Sequence, residues 1–428
     1  MAVVVLLVTM FAMLFLGVPV GVCLILPIVP LVYLTKVTSM TFIANIMYSG
    51  VANYTLIAMP FFIICGNIMD CGGLSRRLIR ICNSLFGRTT GSLGMVAILG
   101  CMFFGAVSGS AVATVAAIGS IMLPEMVRNG YDKYYAAGLI TVAGCLGVIV
   151  PPSFPMVVYG VTMSVSIGDL FVGGIGPSIL VGGLMMIINY FYARKRGLKG
   201  VRAFSWKEVG KALGDGWPAL LMPVIILGGI YGGVFTATEA AVVATVYSIV
   251  VGTLYYREIK LSRIFEEFRN TGIFTGGTML TLAPAAALGK IFSLVGINRA
   301  ITTFFGNLSD SYIVILLCVF VILFIAGMFI QTTPMIVILG PLLYSVLEPY
   351  GVTGLQFGIM MILALGIAFC TPPMASNLFV TTSMTGIPME KLIKPMLPFM
   401  GVLTAALVLI AFFPQIITGP MQLLGHIV

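Results

Sequence analysis

Two stretches decide how this chain folds: GAVSGSAVATVAAIG, from Gly105 to Gly119, and GMFIQTTPMIVILGP, from Gly327 to Pro341. Each interrupts an apolar run with small and hydroxyl-bearing residues, and each is followed at similar spacing by a proline pair, Pro151-Pro152 and Pro372-Pro373. Inside hydrocarbon, backbone groups released from a helix must be buried in protein or line a cavity. Matched interruptions in the two halves of one apolar chain therefore point to a transporter's binding site.

The 428 residues are 60% hydrophobic and only 8% charged, against roughly a quarter charged in a soluble domain. The chain thus reads as an all-α polytopic membrane protein, a single membrane domain over 1–428. Apolar stretches near or above the ~20 residues that span hydrocarbon recur from end to end. The opening run, Ala2 to Leu34, exceeds a signal h-region and lacks a basic n-region, which predicts a retained spanning helix. The eight cysteines are scattered with no CxxC pair and read as packing residues. The only histidine is His426, which removes histidine-based zinc sites and Ser/His/Asp triads. With no Walker-type motif and no paired intramembrane aspartates, the chain does not read as an enzyme.

A net charge of +9 does not point to nucleic acid, because the basic residues sit in short loops. Apart from Lys36, Lys290 and Arg299, which fall elsewhere, they are Arg76, Arg77, Arg80 and Arg88; Arg128 and Lys133; a run from Arg194 to Lys211; another from Arg257 to Arg269; and Lys391 with Lys394. The positive-inside rule puts these loops in the cytoplasm. The segment from Gly91 to Met126 then begins beside Arg88 and ends beside Arg128, so it reads as a re-entrant helical hairpin over about 91–127. Tyr134 to Met163 crosses outward, broken at Pro151-Pro152, and Leu170 to Phe191 returns. After a basic linker, 194–216, the chain runs from Trp217 out to a turn at Thr238-Glu239, where Glu239 caps a helix, and back by Tyr256. Arg257 to Asn270 forms a partly amphipathic segment, and Thr271 to about Val295 crosses again. Tyr312 to Leu347 lies between Asp310 and Glu348, so it starts and ends outside as a second hairpin over about 312–348. Gly354 to Met384 comes inward through Pro372-Pro373, and a last helix from Pro395 to about Ile417 exits.

An internal repeat supports this path independently of charge. GNIMDCGGLSRRLIRICNSLFG (Gly66 to Gly87) resembles GKIFSLVGINRAITTFFG (Gly289 to Gly306), and each precedes a hairpin and a proline-broken helix. The halves, 1–193 and 217–428, are offset by about 220 residues and their hairpins have opposite flanking charge, the pattern of inverted repeats.

In this order and with these gaps, the elements MDCGG-LSRRLIRICNSLFG, VSGSAVATVAAIG, PPSFPMVVYG, VFTATEAAVVATVYS, GMFIQTTPMIVILGP and CTPPMASNLFV resemble the large membrane subunit of tripartite ATP-independent periplasmic (TRAP) transporters along essentially the whole chain. The resemblance implies a bacterial inner-membrane, sodium-driven importer of organic anions; the path set by the basic loops puts the N-terminus in the cytoplasm and the C-terminus in the periplasm. It implies an elevator architecture in which a mobile unit of two hairpins and two broken helices slides against a scaffold in membrane lipid. It further implies two partners: a small four-helix membrane subunit and a periplasmic substrate-binding protein. In many members an acidic residue stands near Thr114 and at Gln331; both positions are neutral here.

Sodium takes several oxygen ligands, and unwound backbone supplemented by hydroxyls supplies them in a bilayer. One site is expected from Ser108, Gly109 and Ser110 with carbonyls around Gly147 and Val150. A second is expected from Gln331, Thr332 and Thr333 with carbonyls near Gly366, Cys370 and Thr371. An organic anion is expected at the positive ends of the half-helices that start after each break, each worth about 0.3–2 kcal/mol. Ser108, Ser110, Pro152, Ser153, Thr332, Pro373, Asn377 and Thr381 are the substrate-contacting candidates. Any one of these serines alone also reads as a hydroxyl bonded to its own helix. Two sodium ions carried with a monoanion supply roughly 5 kcal/mol at about 100 mV and a tenfold gradient. A re-entrant ion channel is the alternative from another class. The residues leave open whether the anion is a C4-dicarboxylate, a sialic acid or a small sulfonate.

Overall fold

The computed structural model describes residues 6, 8–10, 12, 13, 16–200 and 205–424. Among them there is no strand, and nine helices are long and apolar enough to cross a membrane. The pair Lys133–Ile149 and Phe154–Met163, bent by 42° at the first proline pair, makes a tenth.

Both halves are built on one plan. A glycine in the left-handed region, Gly73 (φ 71°) or Gly296 (φ 77°), opens an amphipathic helix, Leu74–Phe86 or Ile297–Leu308. A hairpin comes next, with arms Ser92–Ser108 and Ala111–Arg128 in the first half and Tyr312–Phe329 and Thr332–Leu347 in the second. It is succeeded by the broken helix, with second pieces Phe154–Met163 and Ser376–Thr385, and then by a long helix, Ile167–Arg196 or Met389–Phe412. Both proline pairs carry cis peptide bonds. The second piece of each broken helix packs on the second arm of the opposite half's hairpin: Phe154–Met163 on Thr332–Leu347, and Ser376–Thr385 on Ala111–Arg128. That reciprocal exchange is what two repeats related by a pseudo-two-fold axis produce.

Several sequence expectations change. Ala2 to Leu34 is not one helix: its residues 2–5, 7, 11, 14 and 15 lie outside the described residues, and the rest breaks at Gly17 and again before Ile28. Pro19 and Pro27 stand at the N-caps of Val20–Ile25 and Ile28–Thr35, where a missing N–H is harmless but a continuous helix is interrupted. Arg257 to Asn270 and the crossing after it are not separate, because Leu261–Leu294 is one 34-residue helix. Its first-half counterpart does break, between Met40–Val51 and Tyr54–Ile57, where the Asn53 side chain caps the new turn by accepting from the Thr55 N–H at 2.9 Å. Within the basic linker 194–216 one helix ends at Arg196 and the next begins at Trp206. The last crossing ends at Phe412, and Pro414 starts a separate short helix, Gln415–Leu423. Glu239 does cap: it completes a capping box with Thr236.

Two contacts set the packing. The first hairpin crosses the first broken helix where Gly105 meets Gly147, so closely that a Cβ on Gly105 would stand 2.7 Å from the Gly147 Cα. Small residues permit this approach, and dispersion across it replaces the hydrophobic driving force that lipid does not supply. At the arginine-bearing end, Arg77 pairs with Glu258 at 2.8 Å and Asp215 at 3.6 Å, and lies 3.6 Å from the centre of the Tyr256 ring. Burial raises the Tyr256 phenol above its ordinary value even though the Arg77 cation opposes the shift. The neighbouring Arg76 and Arg80 pair with the same two carboxylates from exposed positions.

Gly105→Val is expected to lower the melting temperature of the detergent-purified protein, at a cost of about 1–3 kcal/mol. Gly228→Ala, where a Cβ meets nothing within 4 Å, should leave it unchanged or raise it slightly. Arg77→Ala should destabilise by about 1–3 kcal/mol, and Arg76→Ala by well under about 1 kcal/mol because that pair is solvated. Equal melting temperatures for the two arginine variants would contradict the assignment of Arg77 as the clamp.

Candidate functional site

The first tip is made by a change of backbone conformation over three residues. Ser108 ends its arm, Gly109 turns through φ +59°, and Ser110 is extended and caps the second arm by accepting from the Ala113 N–H at 3.3 Å. Only glycine reaches that φ without a Cβ penalty. Neutral Thr114 braces the tip: its hydroxyl donates to the Ser110 carbonyl at 2.7 Å and lies 3.3 Å from the Ser108 hydroxyl. The second tip is built differently. Ile330 and Gln331 are both extended, and Pro334 falls in the first turn of the new helix, where its N–H is not required.

Each tip is tied to the break of its own half. The Phe154 N–H donates to the Gly109 carbonyl at 3.3 Å, and the Met374 N–H donates to the Met328 carbonyl at 3.2 Å. Gly147 abuts the first tip, since a Cβ there would come within 2.5 Å of the Ser110 carbonyl oxygen. Ser153 is buried and its hydroxyl has no partner. Val150 is the last residue before the break and is half-buried.

Both tips face one cavity of about 570 Å³. Ser108, Gly109 and Ser110 line it from one side, Gln331, Thr332 and Thr333 from the other. The opening residues of all four half-helices also line it: Ala111, Thr332, Phe154 with Pro155, and Ser376. No Asp, Glu, Lys, Arg or His contributes to the wall among the described residues.

Other sequence candidates lie elsewhere. Asn377 and Thr381 are fully buried at the crossing of the two broken helices and do not line the cavity. There the Asn377 amide donates to the Thr141 carbonyl at 3.1 Å, and the Thr381 and Thr141 hydroxyls lie 2.7 Å apart. The Gly366 carbonyl accepts from the Cys145 thiol at 2.9 Å, and the Cys370 sulfur is 3.3 Å from that of Cys145. Thr371 bonds back to Ile367 in its own helix. Gly366, Cys370, Thr371, Pro152 and Pro373 are absent from the wall; Leu365, Ala368, Phe369 and Met374 stand there instead. The reason is helical phase: the break exposes residues one position away from those that small size and hydroxyl content single out.

A third wall was not visible as a site in the sequence. Asn67, from the helix Ala58–Cys71, and Asn270, Thr271, Thr278 and Thr281, from Leu261–Leu294, face the two tips across the cavity. The available signal was a recurrence of Asn and Thr at three- to four-residue spacing within an apolar helix, obscured by the charge pattern that divides that helix into two segments.

Residues 7–416 match the family described as tripartite ATP-independent periplasmic transporter, DctM component. The chain is 39% identical over 368 residues to the C4-dicarboxylate TRAP transporter large permease protein DctM of Pseudomonas aeruginosa, covering 85% of each chain. To the sialic acid TRAP transporter large permease protein SiaM of Vibrio cholerae it is 36% identical over 403 residues, covering 94% of each. To the isethionate TRAP transporter permease protein DctMQ of Oleidesulfovibrio alaskensis it is 38% identical over 401 residues, covering 94% of this chain but only 63% of that protein's length. Among solved structures, the YdaH transporter of Alcanivorax borkumensis, described as having an unusual topology, superposes with a TM-score of 0.63 at 16% identity, covering 88% of this chain and 87% of the other. Inverted hairpin repeats and family match agree, and the chain belongs to the DctM component of the tripartite ATP-independent periplasmic transporters, a membrane permease and not an enzyme.

Proposed function

We propose that the protein imports an organic anion across the bacterial inner membrane by coupling it to sodium entry. It does so with a small four-helix membrane subunit and a periplasmic binding protein that delivers the ligand. The observation that carries this reading is the convergence of two hydroxyl-rich tips and four helix starts on one cavity with no fixed charge among the described residues. Helix starts attract negative charge without a buried lysine or arginine, whose desolvation would be costly. The relatives' named substrates, C4-dicarboxylate, sialic acid and isethionate, share little beyond negative charge, which suits recognition by dipoles.

Sodium fits the first tip best. The Ser153 hydroxyl, buried without a partner beside Gly109, is the kind of acceptor a hard cation satisfies, and the Ser110 carbonyl and Ser108 hydroxyl are close by. Gln331, Thr332 and Thr333 offer oxygens for a second ion, although the Gly366 carbonyl is engaged by Cys145. Binding at both tips would also cancel repulsion between the anion and the carbonyls of the ending arms.

Movement is set by where the cavity lies. Asn67 lies at the end of its helix that leads to Arg76 in the next one, and Asn270 follows Arg269 near the start of its own. By the positive-inside rule that end is cytoplasmic, so the arrangement corresponds to an inward-facing carrier. The hairpins and broken helices would travel as one body against Ala58–Cys71 and Leu261–Leu294, taking the cavity towards the periplasm.

In proteoliposomes supplied with both partner proteins, uptake should fall to background when sodium is replaced by potassium; undiminished uptake would remove the coupling. Ser110→Ala and Ser153→Ala should each raise the half-saturating sodium concentration roughly three- to tenfold, about 0.6–1.4 kcal/mol. In sealed cells, cysteines introduced by Asn129→Cys and Pro349→Cys should react with an impermeant maleimide only from the cytoplasm and only from the periplasm, respectively. Labelling of both from one side would refute the opposed hairpins.

A further inference from the structure

We propose that the polar face of Leu261–Leu294 recognises the uncharged, hydrogen-bonding part of the substrate, so that the protein selects hydroxylated anions over their deoxy counterparts. The proposal rests on the reading of the cavity as the anion site and specifies what the wall opposite the tips does there.

Asn270, Thr271, Phe274, Thr278 and Thr281 recur at helical spacing and line the cavity together, so one face of this helix forms the wall. Ile273 and Leu280, on other faces, are largely exposed and apolar, as expected towards lipid. Hydroxyl and amide groups recurring on the cavity face are therefore a departure from what the bilayer alone would dictate; the Thr275 hydroxyl, off that face, is buried in the protein.

The hydroxyls on this face are available in two senses. Thr271 is fully buried, yet its hydroxyl has no hydrogen-bond partner, leaving both a donor and acceptors at the wall. Thr278 and Thr281 donate to their own helix, at 2.9 Å to the Phe274 carbonyl and 2.8 Å to the Thr278 carbonyl, which leaves their oxygen lone pairs as acceptors. The face carries no charge, so it cannot neutralise a second carboxylate, but it can both accept from and donate to a hydroxyl. An anionic head at the tips and a hydroxyl at the threonine face match the two walls of one cavity. A ligand without the hydroxyl leaves buried polar groups unpaired, the circumstance in which binding sites discriminate most strongly.

The test titrates the full-length protein, in lipid nanodiscs and in sodium and then potassium buffer, with two matched pairs: 2-hydroxyethanesulfonate against ethanesulfonate, and lactate against propionate. In at least one pair the hydroxylated anion should bind ten times more tightly or better. Thr271→Val and Thr278→Val should reduce that preference to below about threefold, by weakening the hydroxylated anion, by strengthening the deoxy anion or by both, and Thr271→Ser should keep it. The stabilisation of each variant by sodium alone serves as the folding control. Equal binding within both pairs, binding of neither pair, or a preference that survives in the valine variants would overturn the proposal. Binding that is sodium-dependent but blind to the hydroxyl defeats this inference alone, whereas hydroxyl-selective binding indifferent to sodium defeats the coupling and leaves this inference standing.

Discussion

Every backbone N–H and C=O in the hydrocarbon layer must find a partner within the protein, and this chain is organised around the four places where its helices do not supply one. Two are hairpin tips and two are proline breaks, and the structure pairs them: Phe154 bonds to the Gly109 carbonyl, Met374 to the Met328 carbonyl. Each tip therefore satisfies part of the break in its own half. Residues from all four interruptions line one cavity, so the cost of interrupting helices in a bilayer is incurred where a polar ligand can offset it.

Close packing makes this possible. The contact of Gly105 with Gly147 lets the first hairpin lie against the broken helix with no side chain between them. Where the two broken helices cross, Cys145, Thr141, Asn377, Thr381 and Gly366 form a buried polar seam that joins the halves through hydrogen bonds and a thiol contact. In this seam the Asn377 amide N–H and the Thr381 hydroxyl help hold the two repeats together, while the Asn377 Oδ1 has no partner. Hydroxyls and amides in a membrane interior are few, and the fold divides them between cohesion and the cavity.

The walls of the cavity are chemically unlike. The tips and helix starts present oriented dipoles and oxygen atoms, suited to an anion and its accompanying cations. The face of Leu261–Leu294 presents neutral threonines and an asparagine. In the elevator-type motion proposed above, the first wall would travel with the ligand and the second would not, so contacts to the threonine face would belong to one end of the cycle only.

The sequence by itself determined the class, the repeat and the hairpins. Hydropathy, the placement of arginines and the paired SGS/QTT and proline-pair motifs depend on local backbone chemistry and on the bilayer, and neither requires knowledge of neighbours; the hairpin arms fall within a residue or two of their expected bounds. Local chemistry also explains the helix starts after Ser110, Asp132 and Thr236, whose side chains cap the helices they precede. Only the tertiary structure decided which polar residues meet. Gly366 and Cys370 turn to the crossing while Leu365 and Phe369 turn to the cavity, a difference of about one residue of helical phase set by packing. The continuity of Leu261–Leu294, and with it the threonine wall, likewise depends on long-range contacts with Val20–Ile25 and Met40–Val51. A one-dimensional charge pattern divides that helix at Thr271, because charged residues at one end of a helix look the same in sequence as a separate surface segment.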